Sequence, residues 1–371
     1  MHVSTFNRNR WIAYIESLSA IPNWGIFLSL FCMLYVFLIA FPPFYDLKTC
    51  DWLAYQTENP FTRLPDNFLK DSHEQKQQYR IAIPVICKIL NIKGYWVFSI
   101  QYISTFFFYL FSYKLSFKIS GDKVIASLCT FLAANIFIGT TGIYDVFYHF
   151  DIFAFLMLLM AMYYQNNLLV ALFVLLASFT DERAFIASSL VFVYKICEGQ
   201  NKNLQFKDLF KSNGLVLVFI WALYLGIRAY LTWFQDFYTA TLDVGPSVII
   251  KNYNTFPLSI LFVFEAGWIL IFMGLYNYKQ DTLFILITLV SALVIICVSL
   301  MVSDVSRSSA YLYPLLFIGL MKCTFYYKKY ALRKLLLVAA IISFVIPTQE
   351  FFNYTVYGMG PIFPKILKSF N

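Results

Sequence analysis

Apolar runs separated by short polar connections dominate the pattern of the chain. Runs at 24–41, 94–113, 123–142, 150–164, 168–180, 184–195, 214–233, 256–277, 282–302, 309–326 and 335–347 meet or approach the length needed to cross a bilayer, which is about 20 mostly apolar residues. The pattern predicts an all-α polytopic membrane protein with about 11 transmembrane helices. The runs 150–164, 168–180 and 184–195 are short; such spans persist where protein surrounds them and their ends line a polar cavity. No soluble domain fits between any two runs, so residues 1–371 read as a single integral membrane domain. Its parts are an N-terminal segment (1–23), a first connection (42–93), a helix bundle (94–347) and a tail (348–371). Within the first connection, residues 81–90 are apolar but too short to cross, and they predict an amphipathic interfacial helix.

Composition sharpens this picture. Of 371 residues, 60% are hydrophobic and 13% charged, with a mean hydropathy of +0.67. Soluble domains carry about 25% charged residues, so this chain lacks the polar side chains to cover a water-facing globule. A soluble enzyme, a disordered chain and a nucleic-acid-binding domain are excluded. The net charge of +8 reads first as topology, because Lys and Arg collect in short cytoplasmic loops. With the N-terminus inside and eleven alternating spans, the inner connections hold Lys114, Lys118, Lys123, Lys195, Lys202, Lys207, Lys211, Lys279, Lys328, Lys329, Arg333 and Lys334. The short outer connections hold Arg183 and Arg307, and loop 234–255 adds Lys251. The expected orientation is N-inside and C-outside, with segment 42–93 as a long first outer loop. Arg8 and Arg10 precede the first run without a cleavage pattern, which reads as an uncleaved first span. The seven cysteines are scattered, with no C-x-x-C pair, and predict neither a metal site nor a disulfide framework.

A second set of ionisable residues interrupts apolar sequence without serving as basic anchors: Asp46, Asp51, Arg80, Asp145, His149, Asp151, the run Asp181-Glu182-Arg183, Asp304 and Arg307. All fall on the outer side of the predicted topology. Charges at membrane depth cost from about 2.5 kcal/mol each upward, so they face a cavity or one another. Their convergence predicts one acidic, aromatic-lined cavity at the outer boundary. Asp46 and Asp51, just beyond the first span, are candidate general bases, since low-dielectric surroundings raise a carboxyl pKa toward working pH; the plain alternative is a pair of solvated loop acids. Arg80 can grip a phosphate bidentately or anchor at headgroups. Asp145 and His149 would share a face at i, i+4 on a helix, as metal ligands or as part of a substrate cavity. Asp181-Glu182-Arg183 joins two short apolar runs without Gly or Pro, as a polar hairpin tip would; a single bent helix is the alternative. Asp304 and Arg307 read as an ion pair or a polar mouth. Asn353-Tyr354-Thr355 fits a glycosylation acceptor pattern, meaningful in a secretory-pathway host.

Three features together resemble the GT-C-type polytopic membrane glycosyltransferases, in particular the bacterial membrane proteins grouped near them. A first span is followed by a long outer loop with early acids (Asp46, Asp51). An Arg-apolar-Pro segment (Arg80 to Pro84) opens a short amphipathic helix. An acidic helix mouth, YDVFYHFDIF, precedes the charged turn in LASFTDERAFIA, where many such proteins carry an Asn-Arg-Glu type turn; here the basic residue follows Glu182 instead. The likeness covers roughly 24–195. It implies transfer of a sugar from a polyprenyl-phosphate-linked donor to a glycan, lipid or protein acceptor at the outer face of a bacterial inner membrane. Arg80, Arg183 or Arg307 would hold the phosphate, and Asp46 or Asp51 would take the acceptor proton. Trp52, Tyr55 and Tyr148 would offer flat faces to the sugar. A divalent ion, Mg or Mn, is compatible with this chemistry. Two other readings stand beside it: a glycan polymerase or ligase, against which loop 234–255 lacks arginine, and a transporter or flippase, against which no internal repeat is visible.

Overall fold

Every predicted apolar run coincides with a helix or with two consecutive helices in the computed structural model, which describes residues 5–40, 42, 50–65, 77–145, 147–198, 204–210, 212–237, 245–277, 281–346, 348–352 and 355–358. In chain order the helices are α1 (Thr5–Ser19), α2 (Trp24–Ile39), α3 (Asp51–Glu58), α4 (Ala82–Leu90), α5 (Phe98–Ser120), α6 (Lys123–Asn135), α7 (Phe137–Tyr144), α8 (Asp151–Tyr163) and α9 (Asn167–Ser178). There follow α10 (Glu182–Cys197), α11 (Ser212–Phe234), α12 (Pro246–Asn252), α13 (Phe256–Phe264), α14 (Gly267–Asn277), α15 (Thr282–Leu300), α16 (Val305–Ala310), α17 (Pro314–Tyr326) and α18 (Lys329–Val345). A small antiparallel hairpin, β1 (Gln349–Phe352) with β2 (Thr355–Gly358), closes the described chain. Asn353 of the glycosylation pattern and Asp46 lie outside the described residues.

Length and composition qualify the count of spans. Gly214–Phe234 and Thr282–Leu300 are each long and apolar enough to cross a membrane unbroken. Up to six spans result if each bent pair counts once: 11–39, 82–120, 123–144 and 256–276 bend by 117°, 116°, 58° and 92°. Hydropathy registers the apolar stretch but is blind to a break inside it, so the eleven-span reading saw 123–142 and 256–277 as continuous. The unpartnered faces are apolar. Phe31 and Leu34 on α2, Phe219 and Trp233 on α11, and Leu289 and Leu293 on α15 are all exposed, a pattern that water would penalise and lipid would not. The short apolar segment 81–90 forms a helix, α4, turned by 116° against the helical stretch that follows it.

Helix starts are set by short acids and amides. Asp122, Asn166, Asp181, Asp281 and Asp304 each accept a hydrogen bond from a backbone N–H in the first turn of the helix that follows, satisfying donors that have no intrahelical partner. Helix α5 forms the axis of the bundle, packing against α2, α6, α8 and α17. Its 23 residues span about 34 Å, and its two ends meet different charge groups. At its C-terminal end Lys118 pairs with Glu198 at 2.7 Å and donates to Tyr163 O at 2.6 Å. Nearby, Arg333 joins Asp122 at 2.8 Å and also Glu16. At its N-terminal end Gln101 donates to the carbonyls of Gly142, at 3.2 Å, and Asp145. Helices α8 and α10 run the same way, so Asp151 and Arg183 stand at the Gln101 end while Tyr163 and Lys195 stand at the Lys118 end. Scarce charges are thus sorted to the two ends of the bundle.

Candidate functional site

The group at the Gln101 end is built around Asp151, the first residue of α8. It is 2% exposed and accepts from three side chains. Tyr311 Oη donates to Oδ1 at 2.8 Å, Arg183 Nη2 to Oδ1 at 3.4 Å and Arg307 Nε to Oδ2 at 2.6 Å. Arg307 Nη1 also donates to Asp304 Oδ2 at 2.7 Å. Asp304 and Arg307 are therefore an ion pair, and the pair belongs to a larger network.

The turn between α9 and α10 supplies the second half. Asp181 caps α10 through Arg183 N at 2.9 Å, and the same carboxylate receives Arg183 Nε at 2.8 Å and Nη2 at 2.7 Å. Arg183 Nη1 reaches Ser308 Oγ at 2.9 Å, and its guanidinium lies 5.3 Å from the centre of the Tyr311 ring. Residues 181–183 are a hairpin tip between two helices, as one sequence reading had it. Burial opposes ionisation of Asp181, but Arg183 and Arg80 together hold its carboxyl well below the usual range.

Arg80 enters from the segment before α4. Its neighbour Tyr79 is fixed to α11 and the residues after it: Tyr79 Oη lies 2.8 Å from Thr232 Oγ1 and donates to Phe237 O at 3.0 Å, and Arg228 stacks on its ring at 4.3 Å. On the other side Ala82 N donates to Phe179 O at 3.1 Å. Held between these anchors, Arg80 Nη2 sits 2.9 Å from Asp181 Oδ2 and Nε 3.5 Å from Glu182 Oε2. Burial disfavours its charge, but Asp181 and Glu182 outweigh burial and raise its pKa. Three guanidinium nitrogens of the group, Arg80 Nε, Arg80 Nη1 and Arg307 Nη2, are buried without a hydrogen-bond partner among the described residues.

Asp145 and His149 lie beside this network. Asp145 ends α7, and its Oδ1 accepts from Phe147 N at 2.9 Å and lies 3.2 Å from His149 Nδ1. The pair forms across a turn rather than along a helix. Tyr148 (φ 62°) and Phe150 (φ 56°) adopt left-handed backbone there, a conformation costly for bulky residues and common at functional sites. Burial pushes the Asp145 carboxyl up, but His149, Arg307 and the Phe147 N–H bring it down to about 2.

The structure therefore gathers Arg80, Asp145, His149, Asp151, Glu182, Arg183 and Arg307 at one end of the bundle, with Asp181 and Asp304 among them. Asp51 is not in the network. It is exposed at the start of α3, which packs on α4, with Gln56 Nε2 donating to Gln78 O at 2.8 Å. No group of three or more His, Cys, Asp or Glu side chains among the described residues is arranged to hold a metal ion. Ser308 belongs to the serines beside Arg307 in VSDVSRSSAY, part of the polar mouth read from sequence, whereas Tyr311, at the edge of an apolar run in a chain rich in aromatics, carries no distinguishing mark. Comparison with protein-family models, with curated proteins and with solved structures finds no match to this chain.

Proposed function

We propose that the chain is a multi-pass membrane sugar transferase that uses a polyprenyl-phosphate-linked donor at the outer face of the membrane. The three buried guanidinium nitrogens without a hydrogen-bond partner among the described residues, Arg80 Nε, Arg80 Nη1 and Arg307 Nη2, carry the reading. Buried N–H groups without acceptors are rare, and guanidinium edges match phosphate oxygens. The three aspartates inside the network are already engaged in caps and ion pairs, which leaves these guanidinium edges for an anion. The acceptor hydroxyl oxygen attacks the anomeric carbon, the bond from that carbon to the phosphate oxygen breaks, and the lipid phosphate leaves on the arginines. The hydroxyl proton passes to a carboxylate. Asp46 and Asp51 in the first outer loop are candidates, and Glu182, the most exposed acid of the network with its side chain 36% accessible, is a third. N-inside, C-outside topology with eleven crossings puts all of these on one side.

The test is transfer from a radiolabelled polyprenyl-phosphate-sugar in membranes. Lysine at Arg80 or Arg307 removes bidentate geometry while keeping charge, and each should lower transfer by roughly 10–100-fold, the equivalent of about 1.5–3 kcal/mol for a charged hydrogen bond. Alanine at Asp46, Asp51 and Glu182 should identify the base as the one substitution that abolishes transfer with expression intact. Wild-type transfer in both lysine variants refutes the phosphate seat. The transporter reading keeps one favourable observation, the four bent helix pairs, since broken helices mark transport sites; it predicts movement of the lipid-linked sugar across vesicles without acceptor.

A further inference from the structure

A second polar site lies away from the arginine network, where a cavity of about 280 Å³ is lined by Tyr35, Asn135, Thr140, Ser343 and Thr348. Behind Ser343 and Thr348 stands Glu265, 7% exposed, in the break between α13 and α14. Its Oε1 lies 3.3 Å from Thr348 Oγ1, its Oε2 has no hydrogen bond within the distance and angle of a normal one among the described residues, and its neighbour Ala266 N donates to Ser343 Oγ at 3.3 Å. Thr348 has one hydroxyl hydrogen, and Asn135 O competes for it at 3.0 Å. The only donors beside the carboxylate among the described residues are the hydroxyls of Thr348 and Ser343, neither of which carries a charge.

Backbone polarity points the same way. Four helices end at this place: α2 at Ala40, α6 at Asn135, α13 at Glu265 and α18 at Ile346. Each C-terminal end carries about half a negative charge in outward-facing carbonyls. Helices α7 and α14 restart beyond the two breaks and offset part of this field. The lining includes no Lys, Arg or His, and among the described residues Glu265 has no ion pair. A buried carboxylate in such surroundings requires a positive partner or a proton.

We propose that this cavity binds a single monovalent cation, an alkali ion or the ammonium group of a ligand, with Glu265 as its counter-charge. Ile39, Ala40, Phe344, Val345 and Ile346 form the apolar part of the wall, and its polar part offers oxygen ligands: the hydroxyls of Tyr35, Thr140, Ser343 and Thr348 and the amide oxygen of Asn135, with the Glu265 carboxylate behind Ser343 and Thr348. One carboxylate balances one positive charge, whereas divalent sites take more. The cavity has room for an ion with several waters, at about 30 Å³ each. Breaks in transmembrane helices are tolerated where they line such a cavity.

The experiment uses the purified full chain in detergent. Thermal unfolding is followed in sodium chloride, ethanolammonium chloride and choline chloride at constant ionic strength, alongside radioactive sodium binding at equilibrium. A saturable rise of the midpoint in sodium over choline, with one sodium bound per chain, assigns the site to an alkali ion. The same rise in ethanolammonium alone assigns it to an ammonium group. In either case Glu265→Gln should weaken the apparent affinity by at least about tenfold, the loss of one charge-assisted contact, and Thr348→Val should weaken it less. Identical midpoints in the three salts with no bound sodium overturn the proposal, as does an undiminished response in Glu265→Gln. If that variant does not fold, the wild-type salts and Thr348→Val decide. The measurement needs no sugar donor or acceptor, so its outcome is independent of the transferase reading.

Discussion

Removing the Asp151 carboxylate should be among the most damaging single changes in the bundle. Asp151→Ala deletes the acceptor for Tyr311 Oη at 2.8 Å, Arg307 Nε at 2.6 Å and Arg183 Nη2 at 3.4 Å. Arg307 then keeps Asp304 and Arg183 keeps Asp181, but two buried guanidinium groups each lose part of their compensation. Breaking a buried pair from one side costs about 3–5 kcal/mol, and that is the expected loss. Asp151→Asn keeps one acceptor oxygen while losing the charge, and should cost about 2 kcal/mol, one charge-assisted hydrogen bond. The exposed Asp51→Ala should stay within about 0.5 kcal/mol. Reversible unfolding of the purified protein in mixed micelles measures these differences through the midpoint at unchanged slope. Combining Asp151→Ala with Arg307→Met removes the stranded charge along with its partner, so the double variant should be more stable than the two single losses added together. An Asp151→Ala protein within about 1 kcal/mol of wild type would refute the claim that this carboxylate organises the network.

Asp145 gives a pH dependence of definite sign. Its folded value of about 2 lies below the ordinary 3.8, so its contribution is complete above pH 4 and is lost as pH falls toward 2. At about 1.4 kcal/mol per unit the contribution is roughly 2 kcal/mol; unfolding midpoints between pH 2 and 5 should fall less steeply in Asp145→Asn than in wild type, and equal slopes would contradict the assignment. The α14–α17 contact tests backbone proximity. A Cβ at Gly319 would lie 2.8 Å from Leu270 O and 3.0 Å from Ile271 Cα, backbone atoms that cannot rotate aside, so Gly319→Ala should cost about 1–3 kcal/mol through overpacking, read in the same unfolding assay, and unchanged stability would mean that the helices separate freely.

The eleven apolar runs locate the helices well because burial in lipid or protein imposes one strong signal, an uninterrupted apolar stretch. The charges that assemble the network were also legible, since an acid or a base inside such a stretch is expensive and therefore conspicuous. Their meeting could be anticipated as a shared end of the bundle, but not as a hydrogen-bond scheme. The roles of Ser308 and Tyr311 depend on the crossing of α16 and α17 with α8 and α10, which no local pattern encodes. Breaks were the harder feature. The bend at Ile136 has only Gly139 to mark it, whose missing Cβ lets the second helix close on the backbone of Ala133 and Ala134, and a lone Gly among apolar residues does not stand out in sequence. Glu265 did leave a mark, a lone acid within the run 256–277, yet the window average hid it. Its backbone at φ 47° shows what the apolar pattern could not: a non-glycine residue held in a left-handed break.

Helix direction explains why the two polar sites have opposite character. The arginine network gathers four carboxylates, Asp151, Asp181, Glu182 and Asp304, against the guanidinium groups of Arg80, Arg183 and Arg307, with the Asp145–His149 pair beside it. Taken alone, that excess of acid would be unfavourable in a low-dielectric setting. Helices α8 and α10, however, begin there, with Asp151 and Asp181 at their first turns. Each N-terminal end supplies about half a positive charge, so part of the excess is met by backbone rather than by side chains. At the Glu265 cavity, four helices end and one carboxylate stands without a basic partner among the described residues. There the backbone adds to the negative charge instead of offsetting it. Replacing buried ions with apolar groups of equal volume is often neutral or stabilising, so neither arrangement is needed to hold the bundle together. One leaves guanidinium edges open to an anion, the other leaves a carboxylate open to a cation, and the direction of the helices in each place accounts for the difference.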